Sequence, residues 1–475
     1  MLFNSFEFIF VFLPVVFLLF FLFNKFKLHL ATKIWLFITS LFFYGFWNPS
    51  YLPIILFSIL FNRFISIIIV KASTPKKSKA YLTFGVVCNV LLLGYYKYYD
   101  FFVTNINTVF KTDYTLLHLL LPLGISFFTF QQIGYLVDTY RGETKQYSFL
   151  DYALFVTFFP QLIAGPIVHH QELMPQFHSL KKRFFNFHNI ALGFFIFSVG
   201  LFKKVMIADS LAKWANKGFL NFDSLTTIDS WITSLSYTFQ LYFDFSGYSD
   251  MAIGIALLFN ITLPINFNSP YKARNIQDFW RRWHITLSRF LTQYIYIPLG
   301  GSRKGNARTY VNIMIIFLVS GFWHGAGWTF IIWGALHGIA SVICRFWGKL
   351  PVTLPKLLSW FITFQFINAT WVFFRAPDVA TAMSILKTMF NIPAWFHQPV
   401  QAFKEKMVLF GNIDVAWDTI WLVVGCFLLV VVTKNSHQLK DKFKPHFLTV
   451  LFVCALLLYS LVNITNISEF LYFNF

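Results

Sequence analysis

Residues 309–338 read TYVNIMIIFLVSGFWHGAGWTFIIWGALHG, an almost wholly apolar stretch with Gly321-Phe322-Trp323-His324-Gly325-Ala326-Gly327-Trp328 at its centre. A helix that crosses a bilayer needs about 20 predominantly apolar residues, and this stretch supplies them. An ionisable side chain at that depth is costly, so it faces a cavity or a partner group. The glycines around His324 allow a close backbone approach or a break, which leaves room for a substrate chain beside the imidazole. The plainer alternative is a core histidine that bonds a carbonyl on a neighbouring helix.

The same apolar character extends in both directions. Of 475 residues, 57% are hydrophobic, 12% are charged and 65 are phenylalanine, whereas an ordinary globular chain carries about 25% charged residues. No soluble core hides that much apolar surface. Lipid can solvate it, so residues 1–475 are expected to form a single membrane domain. Candidate spans fall near 5–23, 33–47, 51–70, 80–96, 115–138, 150–168, 190–208, 231–259, 309–333, 335–347, 356–375, 418–433 and 447–464. The fold class is therefore all-α and polytopic, with roughly 11 to 13 spanning or re-entrant helices. Pro160, Gly165 and Pro166 mark broken or re-entrant helices around a protein-lined cavity.

The first apolar run has no basic residue before it, carries Glu7 and is followed by Lys25, Lys27 and Lys33. It lacks the charged front of a cleavable signal peptide and is expected to stay attached. The basic loop containing Lys71, Lys76, Lys77 and Lys79 follows two spans later. Positive loops stay on the cytoplasmic side, which puts the N-terminus outside. The net charge of +19 is scattered among loops and does not form one basic face, so nucleic acid is not expected as a partner. Anionic membrane lipid accounts for most of it. Cys88, Cys344, Cys426 and Cys454 sit in apolar runs without pairing or metal-ligand spacing and read as packing residues.

The chain is most polar at residues 268–305, NSPYKARNIQDFWRRWHITLSRFLTQYIYIPLGGSRKG. Phe279, Trp283, Leu287, Phe290 and Tyr294 recur at helical spacing while Arg281, Arg282 and Ser288 point elsewhere. This pattern predicts one amphipathic helix lying at the membrane interface, with His284 on it. Asp244 and Asp250 interrupt the apolar run 231–259. They fall on different helical faces, which does not suit a paired-carboxylate site, and each is expected to pair with an arginine or accept backbone and hydroxyl hydrogen bonds. His169, His170 and Glu172 superficially suggest a metal site, but adjacent histidines rarely ligate one ion, and no metal is expected.

Three segments taken in order carry a specific likeness: Trp280-Arg281-Arg282-Trp283-His284-Ile285-Thr286-Leu287-Ser288, then Tyr296-Ile297-Pro298-Leu299-Gly300-Gly301, then Phe322-Trp323-His324-Gly325. They resemble the signature of membrane-bound O-acyltransferases, and most of all the bacterial alginate O-acetylase and peptidoglycan O-acetyltransferase branch. Asp244–Asp250, Ala164-Gly165-Pro166 and the opening Met1-Leu2-Phe3 with Phe12-Leu13-Pro14 are similar to that branch as well. Thr286 stands where serine is more usual. The likeness runs from residue 1 to about 375.

The resemblance implies a two-sided funnel of helices in the bacterial cytoplasmic (inner) membrane, with acetyl-CoA as the cytoplasmic donor and an acceptor approaching from outside. His324 matches the catalytic histidine and His284 the second motif histidine. Arg281, Arg282, Arg303 and Lys304, with Trp283 beside them, are the candidates for binding the donor, since its phosphates attract cations. A neutral imidazole can take the proton of an attacking hydroxyl, which makes His324 the general base. His284 is expected to bond the thioester end of the donor or line its path. The final product is an O-acetylated extracytoplasmic glycan, such as peptidoglycan or an alginate-like exopolysaccharide. The chain has no polymer-binding domain of its own, so the resemblance also implies an exported partner O-acetyltransferase with a serine-hydrolase-like (SGNH-like) site. A transporter or flippase is the competing class, because intramembrane Asp and His also relay protons. It would predict internal repeats, and none is visible.

Overall fold

The computed structural model describes residues 1–144, 147–391, 393, 417–464, 470 and 471, and among these no strand occurs. Among the described residues six helices are long and apolar enough to cross a membrane: α1 (Glu7–Lys25), α3 (Pro49–Val70), α4 (Pro75–Phe110), α8 (Phe187–Leu220), α13 (Trp328–Trp347) and α14 (Lys356–Arg375). Between them lie α2 (His29–Gly45), α5 (Ile125–Tyr140), α6 (Phe149–Thr157), α7 (His170–His178), α9 (Thr227–Leu258), α10 (Ile276–Trp280), α11 (Ile285–Leu291) and α12 (Gly305–His324). The chain continues through α15 (Val379–Met389), α16 (Trp417–Val432), α17 (Ser436–Lys440) and α18 (Phe447–Val462). This is an all-α, polytopic membrane protein.

Helix α9 forms the axis of the bundle. A capping box between Thr226 and Asp229 starts it, and every residue from Ser236 to Leu258 is buried. Its closest neighbour is α8, which packs along it. A Cβ on Gly193 would run into the backbone of Gly254, and one on Gly200 into that of Gly247. These small residues let the two backbones approach in antiparallel register, which is how helices associate where lipid removes the hydrophobic drive. The burial also decides the fate of the two carboxylates. Asp244 accepts from Lys204 at 2.7 Å and from the Leu471 amide at 2.9 Å, and Asp250 pairs with Lys203 at 2.6 Å. The charged partners are lysines on α8 in place of arginine, and the Leu471 amide supplies the backbone hydrogen bond expected as the alternative.

Several expected spans are redrawn. Residues 115–124 are not helical, and α5 begins only at Ile125. The amides of Leu117 and His118 donate to Asp100 and that of Tyr114 donates to Asn107, so this apolar loop satisfies part of its backbone without a helix. The run 150–168 breaks as its prolines and glycine implied: α6 ends at Thr157 and a single turn, Phe159–Leu162, follows. The division placed between 333 and 335 falls instead at Gly325–Gly327, so α12 ends at His324 and α13 starts at Trp328. Helix α15 is an addition to the expected elements.

Candidate active site

Helices α12 and α13 form a hairpin. A Cβ on Gly321 would collide with the Phe330 carbonyl and with Gly334, so only glycine permits this approach. His324 is the last residue of α12, followed by an extended Gly325. The side chain is 2% exposed. Its Nδ1 lies 2.6 Å from the Ser320 carbonyl oxygen. A carbonyl only accepts, so Nδ1 carries the proton and Nε2 carries the lone pair. The rings of Trp323, Trp333 and Phe374 surround the imidazole at centroid distances of 4.9, 5.0 and 5.2 Å.

The polar block does not form the single interfacial helix that its periodicity predicts. Helix α10 ends at Trp280, and His284 adopts a left-handed backbone, φ +44°, before α11 begins. Such a conformation costs a non-glycine residue about 1–3 kcal/mol, and strain of this kind gathers at functional sites. The face assigned to the membrane surface is inside the protein: Phe279, Trp283, Leu287 and Phe290 are all buried. The cause is the tertiary packing of this block under α9 and α14. Trp283 stands 5.0 Å from both Phe267 and Trp371, while Tyr294 donates to Asp138 at 2.7 Å.

The break carries His284 inward to the end of α12. The two imidazole centroids are 6.5 Å apart, although the residues belong to separate motifs. His284 is fully buried, and its Nδ1 lies 3.1 Å from Asn266 Oδ1. The same amide oxygen accepts from the Thr286 hydroxyl at 2.9 Å, and that hydroxyl accepts from the Ile167 amide at 3.0 Å. With Oδ1 as the acceptor, His284 also holds its proton on Nδ1 and its lone pair on Nε2. Thr286 serves through its hydroxyl, the group it shares with serine.

Residues 140–376 match the membrane-bound O-acyltransferase family. Along its whole length the chain is 49% identical to the protein named peptidoglycan O-acetyltransferase from Helicobacter pylori, covering 98% of it. The chain belongs to the membrane-bound O-acyltransferase family. It is 41% identical, over 83% of its length and 76% of the relative, to the probable alginate O-acetylase AlgI of Pseudomonas aeruginosa. It is also 28% identical, over 49% of its length and 59% of the relative, to the teichoic acid D-alanyltransferase of Streptococcus thermophilus. The transporter reading is therefore set aside in favour of a membrane-bound O-acyltransferase.

The expected donor-binding residues of this membrane-bound O-acyltransferase are scattered. Arg281, Arg303 and Lys304 are exposed. Arg282 is held by Asp278 at 2.8 Å and by the Asn268 carbonyl at 3.3 Å. Trp283 is enclosed in its aromatic cluster and has a packing role. Arg303 and Lys304 precede α12, whose other end is His324, roughly 30 Å away at 1.5 Å per residue. The His169–Glu172 group resolves into separate contacts: Glu172 binds Arg289 through both oxygens, His170 faces Asp138 at 3.2 Å, and His169 meets the Tyr294 hydroxyl at 3.1 Å. Asn266, Trp333 and Phe374 were not legible as site residues, since nothing in their local sequence marks them. Lys97 carried a signal, a lysine inside an apolar run.

Proposed function

We propose that this enzyme takes acetyl from cytoplasmic acetyl-CoA and delivers it across the bacterial inner membrane for O-acetylation of an extracytoplasmic polysaccharide, peptidoglycan or an alginate-like polymer. The observation that carries the reading is the pair of buried imidazoles, 6.5 Å apart, each with Nδ1 engaged and Nε2 basic. The acetyl chemistry is that named for its relatives from Helicobacter pylori and Pseudomonas aeruginosa.

In this mechanism an acceptor hydroxyl attacks the thioester carbonyl while His324 Nε2 takes its proton. The C–O bond forms, the C–S bond breaks, and the proton passes from His324 to the departing thiolate. General-base help of this kind contributes about 10² to 10⁴ in rate. The aromatic walls exclude water, the competing nucleophile. His284 orients the thioester end of the donor, and the exposed Arg281, Arg303 and Lys304 attract its phosphates. No covalent enzyme intermediate is required.

The N-terminus lies outside and the Lys71–Lys79 loop in the cytoplasm, so donor and acceptor meet from opposite faces. A polymer does not thread easily to a histidine at this depth, so the acetyl leaves on a hydroxyl of an exported SGNH-like partner that then modifies the glycan. Liposomes that hold the purified chain and acetyl-CoA, given an external oligosaccharide with and without that partner, test this. Acetylated sugar is expected only with the partner. Full-rate acetylation without it would show that the enzyme is complete in itself.

A further inference from the structure

Helix α4 is not uniform: it loosens into a π-helical turn at Gly94–Tyr98. Such turns are rare and frequently stand at functional sites. This one aims two adjacent side chains at the same target, the carbonyl end of α12. Lys97 Nζ donates to the carbonyl oxygens of Trp323 at 2.6 Å and His324 at 3.2 Å, with Ser126 Oγ at 3.5 Å. Tyr98 Oη donates to the Phe322 carbonyl at 2.6 Å, and its ring stacks on Phe322 at 4.1 Å.

The last carbonyls of any helix lack intrahelical partners, and the helix dipole makes that end negative. Here the three residues left without a following turn, Phe322, Trp323 and His324, are satisfied by a phenol and an amine from another helix. Three acceptors around one Nζ use the three donors of an ammonium, so the geometry fits the charged form. Lys97 also lies over the Trp323 ring at 5.9 Å, and Trp323 packs against both imidazoles. The lysine is half-buried and lines a cavity of about 300 Å³ with Tyr95, Asp100, Gly325 and Ala326. That cavity thus borders the turn that follows His324.

We propose that Lys97 is a positioning residue for the acyl transfer, acting through His324: its ammonium caps α12 and fixes where the imidazole points. This rests on His324 being the base. Losing the cap lets the final turn fray, and a misplacement of about 1 Å at a reacting group can cost about 10² in rate.

The test is steady-state transfer from acetyl-CoA by Lys97→Met, Lys97→Arg, Tyr98→Phe and His324→Ala, with monodisperse elution as the folding control. Lys97→Met is expected to lower kcat by about 10² and leave the donor's KM within about twofold. Lys97→Arg should recover most of that loss, because a guanidinium also offers several N–H donors to carbonyls. Adding Lys97→Met to His324→Ala should cost nothing more, since residues that act as a unit are not additive. A folded Lys97→Met enzyme with unchanged kcat overturns the proposal. A KM effect alone, an arginine variant no better than methionine, or an additive double variant does so too. If Lys97→Met does not fold, Tyr98→Phe carries the test: a kcat reduced several-fold supports the cap and an unchanged one overturns it. Near-normal turnover in His324→Ala would instead strike at the base assignment.

Discussion

His324 and His337 stand on the two arms of one helical hairpin and share a wall, the Trp333 ring, at 5.0 and 4.7 Å. Both are almost completely buried. Their ring nitrogens are used differently. His337 Nδ1 accepts from Trp280 Nε1 at 3.2 Å, so Nε2 carries the proton and donates to Thr370 Oγ1 at 3.1 Å. That histidine joins α10 to α14 through α13 and serves packing. His324 spends its proton on a carbonyl of its own helix and ends that helix beside a cavity, with the His284 ring centroid 6.5 Å away. Burial therefore does not separate the two histidines. The position of the proton and the ending of the helix do.

The contrast is broken or sharpened most strongly by His324→Ala. It is expected to reduce acetyl transfer by about 10² to 10⁴ in protein that still inserts and elutes as a single species, and turnover close to wild type would end the assignment. His284→Ala should fall short of that, with a loss of about 10- to 100-fold, because in the proposed mechanism it orients and takes no proton. Equal losses in the two variants, measured as kcat/KM, would mean that the histidines share one role. Smaller still is Thr286→Val, which removes the hydroxyl that braces Asn266. A loss of about fivefold is expected, as for one hydrogen bond, while Thr286→Ser should stay within twofold. His337→Leu should leave turnover within about threefold. It should still lower the thermal stability, since unpairing Trp280 and Thr370 costs about 1–3 kcal/mol per group. A stable His337→Leu protein without activity would reverse the comparison.

The ends of α3 and α14 and the family motifs could be read directly from apolar runs and local spelling. The path through residues 276–296 could not. Its apolar residues keep helical spacing whether or not the helix is continuous, and the left-handed turn at His284 is imposed by Asn266 and Ile167, which are distant in sequence. The partners of Asp244 and Asp250 lay in plain view as Lys203-Lys204, within a candidate span, but only helix packing pairs them. Lys97 stands out as a lysine inside an apolar run, but its partners are not legible locally, since the carbonyls it meets lie more than two hundred positions away. The motif sets His324 apart in sequence, but the hydrogen bonds that distinguish it from His337 appear only in the structure.

The most direct test is a structure of the enzyme with a non-transferable acetyl-CoA analogue bound. The acetyl carbonyl carbon should lie close enough to His324 Nε2 for one hydroxyl to bridge them, roughly 4–6 Å given near-attack and hydrogen-bond distances, with His284 beside the sulfur. An acetyl group seated against His337, or beyond the reach of one bridging hydroxyl from His324, would contradict the account.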